Sequence, residues 1–127
     1  MSKTFRDLTP KEAKKYWEAL LKREEKKKEA VKERFYKAWE LVRKISKVLY
    51  EKYKVKEVIV FGSLTDISSF NEWSDIDIAI VGIPDNLYFR AIAEITSISE
   101  DFDIDIIDVE SCKESLKKVI MEKGIRI

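Results

Sequence analysis

The sequence predicts an α+β fold, a small β-sheet flanked by helices and preceded by a long N-terminal helical extension. Three observations predict it. No glycine or proline interrupts the chain between Pro10 and Gly62, and apolar residues in that stretch recur at helical spacing. Short apolar or alternating runs then appear at residues 57–61, 75–81 and 103–109, the lengths and period of strands. Between and after those runs, residues 87–98 and the segment from Ser111 to just before Gly124 return to helical spacing. At 127 residues the chain has room for one ordinary core.

The first helix has a marked start. Thr9 is a fitting N-cap, Pro10 occupies the first helical position, and Glu12 completes a capping box. Val31, Phe35, Ala38, Val42, Ile45 and Leu49 then alternate spacings of four and three, the stripe of a helix laid against a core. Trp17 and Leu21 continue that register upstream, but Glu24 and Lys28 take its next two positions. The stretch Lys22–Glu29 therefore reads as solvated, a place for the helix to bend, break or stand away from the body. Val58 to Phe61 form a buried strand that Gly62-Ser63 closes with a tight turn. Asp75–Val81 alternates Asp and Ile before an apolar end, and Leu87, Ala91, Ile95 and Ile98 mark a helix over 87–98. Asp103–Val109 is a third strand. Ser111 with Glu114 reads as a second capping box, opening a helix through Leu116, Val119 and Ile120. The division expected is a basic helical extension over 1–54, packing on or projecting from the body, and a sheet domain over 55–127.

Composition removes several classes of function. No apolar run approaches the roughly 18 residues that cross a bilayer, and the polar Met1–Thr9 segment is not expected to be a signal peptide. Cys112 is the single cysteine, which excludes an internal disulfide and fits a reducing cytoplasm. Without histidine, zinc sites and His-dependent triads are excluded as well. Catalysis must rest on carboxylates, lysines, hydroxyls or backbone amides. Charged residues reach 39%, and the heavy use of Lys and Glu without Gln resembles proteins from hot environments. The net charge of +1 conceals an asymmetry: residues 1–57 hold 19 Lys/Arg against 10 Asp/Glu, and residues 58–127 hold 6 against 14. Either the halves attract each other in the fold, or the basic half meets phosphate while the acidic half holds metal.

Three features bear chemistry. Gly62-Ser63 follows a buried strand, where glycine permits close backbone approach to a ligand and turn amides point at anions. Asp75 and Asp77 lie two apart in a strand and so share a face, where like charges repel unless a cation joins them. Oxygen donors of this kind suit Mg²⁺, which takes one or two carboxylates together with phosphates and water. Asp103 and Asp105 share one face of the third strand, with Asp108 on the other. A neighbouring strand would bring Asp105 beside Asp75 and Asp77, three carboxylates around a pair of metals suited to in-line phosphoryl displacement. The competing reading is a solvated polar face on an edge strand.

The ordered set Phe61-Gly62-Ser63, Ser74-Asp75-Ile76-Asp77-Ile78 and a later carboxylate strand resembles the minimal nucleotidyltransferase family, among the DNA-polymerase-β-like nucleotidyltransferases. The likeness covers about Val58 to Ile127. It implies a mixed sheet, Gly62 and Ser63 against a nucleoside triphosphate (ATP first among them), and Asp75, Asp77 and Asp105 on Mg²⁺ in a two-metal site. It also implies that Asp105 helps to activate the attacking hydroxyl, and Asp105 is preferred to Asp103 because the Ile106-Ile107-Asp108 run follows it. Two departures stand out. The basic residue and glycine usual after the Gly-Ser pair are replaced by Leu64-Thr65-Asp66-Ile67-Ser68, and the helical N-terminal region exceeds what the family requires.

The leading expectation is a cytoplasmic, metal-dependent enzyme that transfers a nucleoside monophosphate from an NTP to an acceptor hydroxyl and releases pyrophosphate. The alternative is an antitoxin-type protein pairing with a helical (HEPN-like) toxin, with or without adenylylating activity, its docking surface the helix around Tyr16 and Trp17. A homodimer through the same amphipathic helix is the other partner expectation. RNA binding, suggested by Tyr16, Trp17, Phe35, Tyr36 and Trp39 among lysines, ranks below these because Phe35 lies on the apolar stripe.

Overall fold

The structure, a computed structural model, describes residues 7–127. Helix α1 runs unbroken over Pro10–Glu51, 42 residues or about 63 Å. The expected cap forms: Thr9 Oγ1 accepts from the Glu12 amide at 3.2 Å, and its hydroxyl donates to the Glu12 carboxylate at 3.2 Å. Lys22–Glu29 does not break the helix. Residues 21–30 are all exposed and the helix continues through them, because good helix formers hold it without tertiary cover. Its second half buries Ala38, Val42, Ile45 and Leu49 completely.

Four strands form one mixed sheet: β1 (Glu57–Phe61), β2 (Ile76–Val81), β3 (Ile104–Asp108) and β4 (Ile125–Arg126), in the order β3-β2-β1-β4. β1 pairs antiparallel with β2 and β4, while β2 and β3 run parallel through helix α2 (Asp85–Thr96). The β1–β2 connection carries two short 3₁₀ turns, Gly62–Thr65 and Ile67–Ser69. Period-two alternation gives the sheet two faces. Val58, Val60, Ile76, Ile78, Ile80 and Ile104 pack against α1 and α2 in the larger core cluster. Ile59 and Ala79 pack with Val109 and with Ile120 of helix α3 (Glu114–Lys123) in a smaller one. One step along β2 from Ala79, the next residue on that face is the half-buried Asp77.

Several local expectations need correction. Helix α2 starts and stops two residues earlier than the apolar spacing suggests. Pro84 takes the N-cap with Asp85 in the first turn, a start signal that the stripe alone overlooks. Ile98 consequently falls outside the helix and is 40% exposed. The capping box at Ser111 and Glu114 does not form: Ser111 belongs to a 3₁₀ turn over Val109–Ser111, and its hydroxyl donates to Asp108 Oδ2 at 3.3 Å. Lys113 stands at the α3 N-cap without a side-chain bond. Ile120 and Leu116 face the core, but Val119 points outward at 47% exposure.

The C-terminus is tied into the sheet. The Tyr50 hydroxyl accepts from the Val58 amide at 2.9 Å and donates to the Ile127 carbonyl at 2.6 Å, clamping α1, β1 and the chain end with one group. Ion pairs Lys27–Glu72 and Lys52–Glu94 join the basic and acidic halves. No helix among the described residues is long and apolar enough to cross a membrane.

Candidate active site

The parallel register of β2 and β3 sets Asp77 directly beside Asp105, with Ile76 beside Ile104 and Ile78 beside Ile106. The flanking isoleucines, Ile76, Ile78 and Ile104, are buried on the opposite face, which fixes the register and turns both carboxylates to the α3 side. Asp75 precedes β2 by one residue and is half-buried, whereas Asp105 is exposed on the sheet edge. Partial burial, the charges of Asp105 and Asp75, and a hydrogen bond with Asp105 together push the Asp77 carboxyl from 3.8 up to about 6. No Lys or Arg lies within ion-pair distance of Asp75, Asp77 or Asp105 among the described residues. The arrangement is a patch of like charge without internal compensation. Among the same residues, no three side chains of ligating type converge closely enough to hold an ion by themselves. Carboxylate oxygens are nevertheless the hard donors that Mg²⁺ takes, and one or two of them suffice where phosphate oxygens and water complete the shell.

Gly62 stands over this patch. Its φ of 74° lies in the left-handed region, and a Cβ built on it would meet Asp77 Oδ2 at 2.5 Å. Only glycine lets the turn after β1 pass so close to the carboxylate. Ser63, half-buried, follows it in the same 3₁₀ turn, and the Thr65 hydroxyl closes that turn onto the Gly62 carbonyl at 2.7 Å. Asp66, which would repel a phosphate, instead turns its carboxylate back to accept from the Ser68 amide at 2.9 Å, and those bonds hold its pKa below the usual value. Asp103 is exposed ahead of β3, its backbone carbonyl accepting from the Ile76 amide of β2 at 2.9 Å, and Asp108 faces its own turn, accepting from the Glu110 amide at 3.1 Å.

Sequence reasoning missed Arg34. Its guanidinium donates to the Asp101 carbonyl at 3.2 Å and to the Ser74 carbonyl at 3.3 Å, and lies 4.2 Å over the Phe102 ring. It thereby staples together the two segments that enter β2 and β3, one residue before Asp75 and two before Asp103. Its Nε is buried without a partner. The available signal was a charged residue between Val31 and Ala38 on an otherwise apolar helix face. Of the aromatics considered for RNA, Trp39 is committed to the Leu64 carbonyl through Nε1 at 3.2 Å and Phe35 to an edge contact with Phe70, so both serve the fold. Tyr16, Trp17 and Tyr36 are exposed.

A mixed sheet with adjacent carboxylates on neighbouring parallel strands, overlooked by a glycine turn, defines a nucleotidyltransferase-type domain. The chain belongs to the family described as Polymerase beta, Nucleotidyltransferase, whose model matches residues 43–127. Three solved structures illustrate the likeness. A toxin–antitoxin with AMP-PNP is 25% identical at a TM-score of 0.55, over 66% of this chain and 69% of that one. A mutant of the MntA–HpeT toxin–antitoxin is 25% identical at a TM-score of 0.53, over 67% and 69%. A complex from Shewanella oneidensis, a tri-AMPylated HEPN toxin with an MNT antitoxin, shares the fold at 22% identity and a TM-score of 0.52, over 70% of each chain. No curated protein matches the chain at a significant level. The resemblance to minimal nucleotidyltransferases is thus borne out, and residues 10–42 of α1 lie outside the family match.

Proposed function

We propose that the chain is a Mg²⁺-dependent nucleotidyltransferase that moves a nucleoside monophosphate from an NTP, with ATP first among them, to an acceptor hydroxyl. The observation that carries this reading is the Asp77–Asp105 pair, held in register without a compensating cation, with Asp77 close against Gly62. Asp75, Asp77 and Asp105 are the proposed metal ligands, with Gly62 and Ser63 against the triphosphate. Bound Mg²⁺ supplies charge neutralisation for the triphosphate at this otherwise repulsive patch. Asp105, the most exposed of the three, takes up the proton of the attacking hydroxyl. The acceptor oxygen bonds to the α-phosphorus, the bond to the bridging oxygen breaks, and pyrophosphate leaves. Single Cys112 and the absence of a membrane-spanning helix among the described residues fit a cytoplasmic setting. The test is incubation of the chain with ATP labelled on the α-phosphate, Mg²⁺ and cell extract: a labelled acceptor is expected. Equal labelling by Asp77→Asn would refute the assignment.

The same chain supports a second reading, an antitoxin of a helical HEPN-type toxin, with the toxin as the acceptor. The toxin–antitoxin neighbours favour it. The tagged chain recovered from its native cells would carry a stoichiometric helical protein. A chain recovered alone under gentle conditions would contradict this reading while leaving the transferase proposal standing.

A further inference from the structure

Helix α1 carries one surface that neither the core nor the carboxylate patch explains. Followed towards the N-terminus, the face that buries Ala38, Val42, Ile45 and Leu49 continues through Val31, Lys28, Glu24, Leu21 and Trp17 in one unbroken helix. Where this face leaves the body a groove of about 400 Å³ opens, floored by Val31, Ile67 and Phe70 and edged by Glu24 and Lys28. Leu21 is 59% exposed, and Ile67 at the groove is 44% exposed. Large apolar side chains in line with a groove mark an interaction surface.

The face is complementary to itself. Leu21 and Val31 lie five residues on either side of position 26, and Glu24 and Lys28 lie two on either side. Two copies of α1 crossing antiparallel, with a two-fold axis at position 26, bring Leu21 of each over Val31 of the other and Glu24 of each beside Lys28 of the other. A two-fold axis makes every such contact twice. A parallel pairing in register would instead set Glu24 on Glu24 and Lys28 on Lys28, which repel. We propose that two copies of this chain associate through antiparallel α1 helices, each Leu21 entering the Val31–Ile67–Phe70 groove of the other copy and each Glu24 pairing with Lys28. The helical part of the surface, residues 17–31, lies outside the family match, whereas Ile67 and Phe70 lie within it. The surface uses none of Asp75, Asp77 and Asp105, so the proposal stands apart from the catalytic reading, and Asp77→Asn associates as the native chain does.

The experiment is sedimentation of the purified full chain over a concentration series, with circular dichroism to confirm the fold of each variant. The native chain is expected to sediment as a dimer that dissociates on dilution. Leu21→Glu, Glu24→Lys and Lys28→Glu, all at exposed helical positions, each weaken association by at least about tenfold. Mixing Glu24→Lys with Lys28→Glu restores it, because every contact between the two variants again joins opposite charges. A native chain that is monomeric throughout overturns the proposal. So does a dimer indifferent to Leu21→Glu, or a mixture that fails to recover.

Discussion

Replacing Asp77 with asparagine separates the cost of the site from its use. Asparagine keeps the size of the side chain and its capacity to hydrogen-bond Asp105, but removes the charge that Asp105 and Asp75 oppose. In the native chain the carboxyl titrates at about 6 where an unperturbed one titrates at 3.8, which corresponds to about 3 kcal/mol at full strength. The side chain is only partly buried, so screening reduces this to about 1–2 kcal/mol. The sign follows from proton binding. Between pH 4 and 6 the folded state holds more protons at this group than the unfolded state, so native stability falls as pH rises through the folded pKa. At pH 8 with chelator, Asp77→Asn should therefore melt about 3–8 °C above the native chain. At pH 4, where the carboxyl is protonated in the folded state and about half protonated in the unfolded one, most of the advantage should vanish. The assay is thermal unfolding by circular dichroism at the two pH values. No stabilisation at pH 8, or an equal gain at both pH values, would refute the claim that unrelieved carboxylate repulsion is built into this patch.

Other perturbations test the supports of the site. Gly62→Ala should cost about 1–2 kcal/mol for its left-handed backbone, and should weaken Mg²⁺–NTP binding as well, because the new methyl displaces the Asp77 carboxylate; calorimetric titration would check both parts. Arg34→Met removes two bonds to backbone carbonyls and the contact with Phe102, and should lower stability to denaturant by about 2–3 kcal/mol. Arg34→Lys keeps the charge but cannot span both carbonyls, so it should recover less than half of that loss. Tyr50→Phe leaves the Val58 amide and Ile127 carbonyl without their shared partner and should cost about 1–2 kcal/mol, with faster hydrogen exchange at Val58.

The sequence was most legible where one periodicity governed a long run. The α1 stripe, its Thr9 cap and strand β1 are present as residue patterns, and so is the sharing of a face by Asp75 and Asp77. Proximity across strands is a different matter. Asp105 could be set beside Asp77 only by supposing that the strands neighbour each other; the structure supplies the register, through Ile76, Ile78 and Ile104 in the core. Strand β4 was invisible because two residues carry no period, and its pairing with Ile59 and Val60 depends on the turn at Gly124. Ser111 misled because Asp108, three residues earlier, competes for its hydroxyl. Arg34 escaped notice because a cation on an apolar stripe reads as solvated, whereas its partners are carbonyls distant in sequence.

The central claim, that Asp75, Asp77 and Asp105 hold a divalent ion, is tested most directly by titrating Mn²⁺ as a paramagnetic substitute for Mg²⁺, with a non-hydrolysable ATP analogue present. Free ion would be followed by electron paramagnetic resonance. The native chain should bind the ion at pH 8 and release it as pH falls through about 6, where Asp77 takes up its proton. Asp77→Asn should lose at least about a hundredfold in affinity, and binding undiminished in that variant would contradict the account.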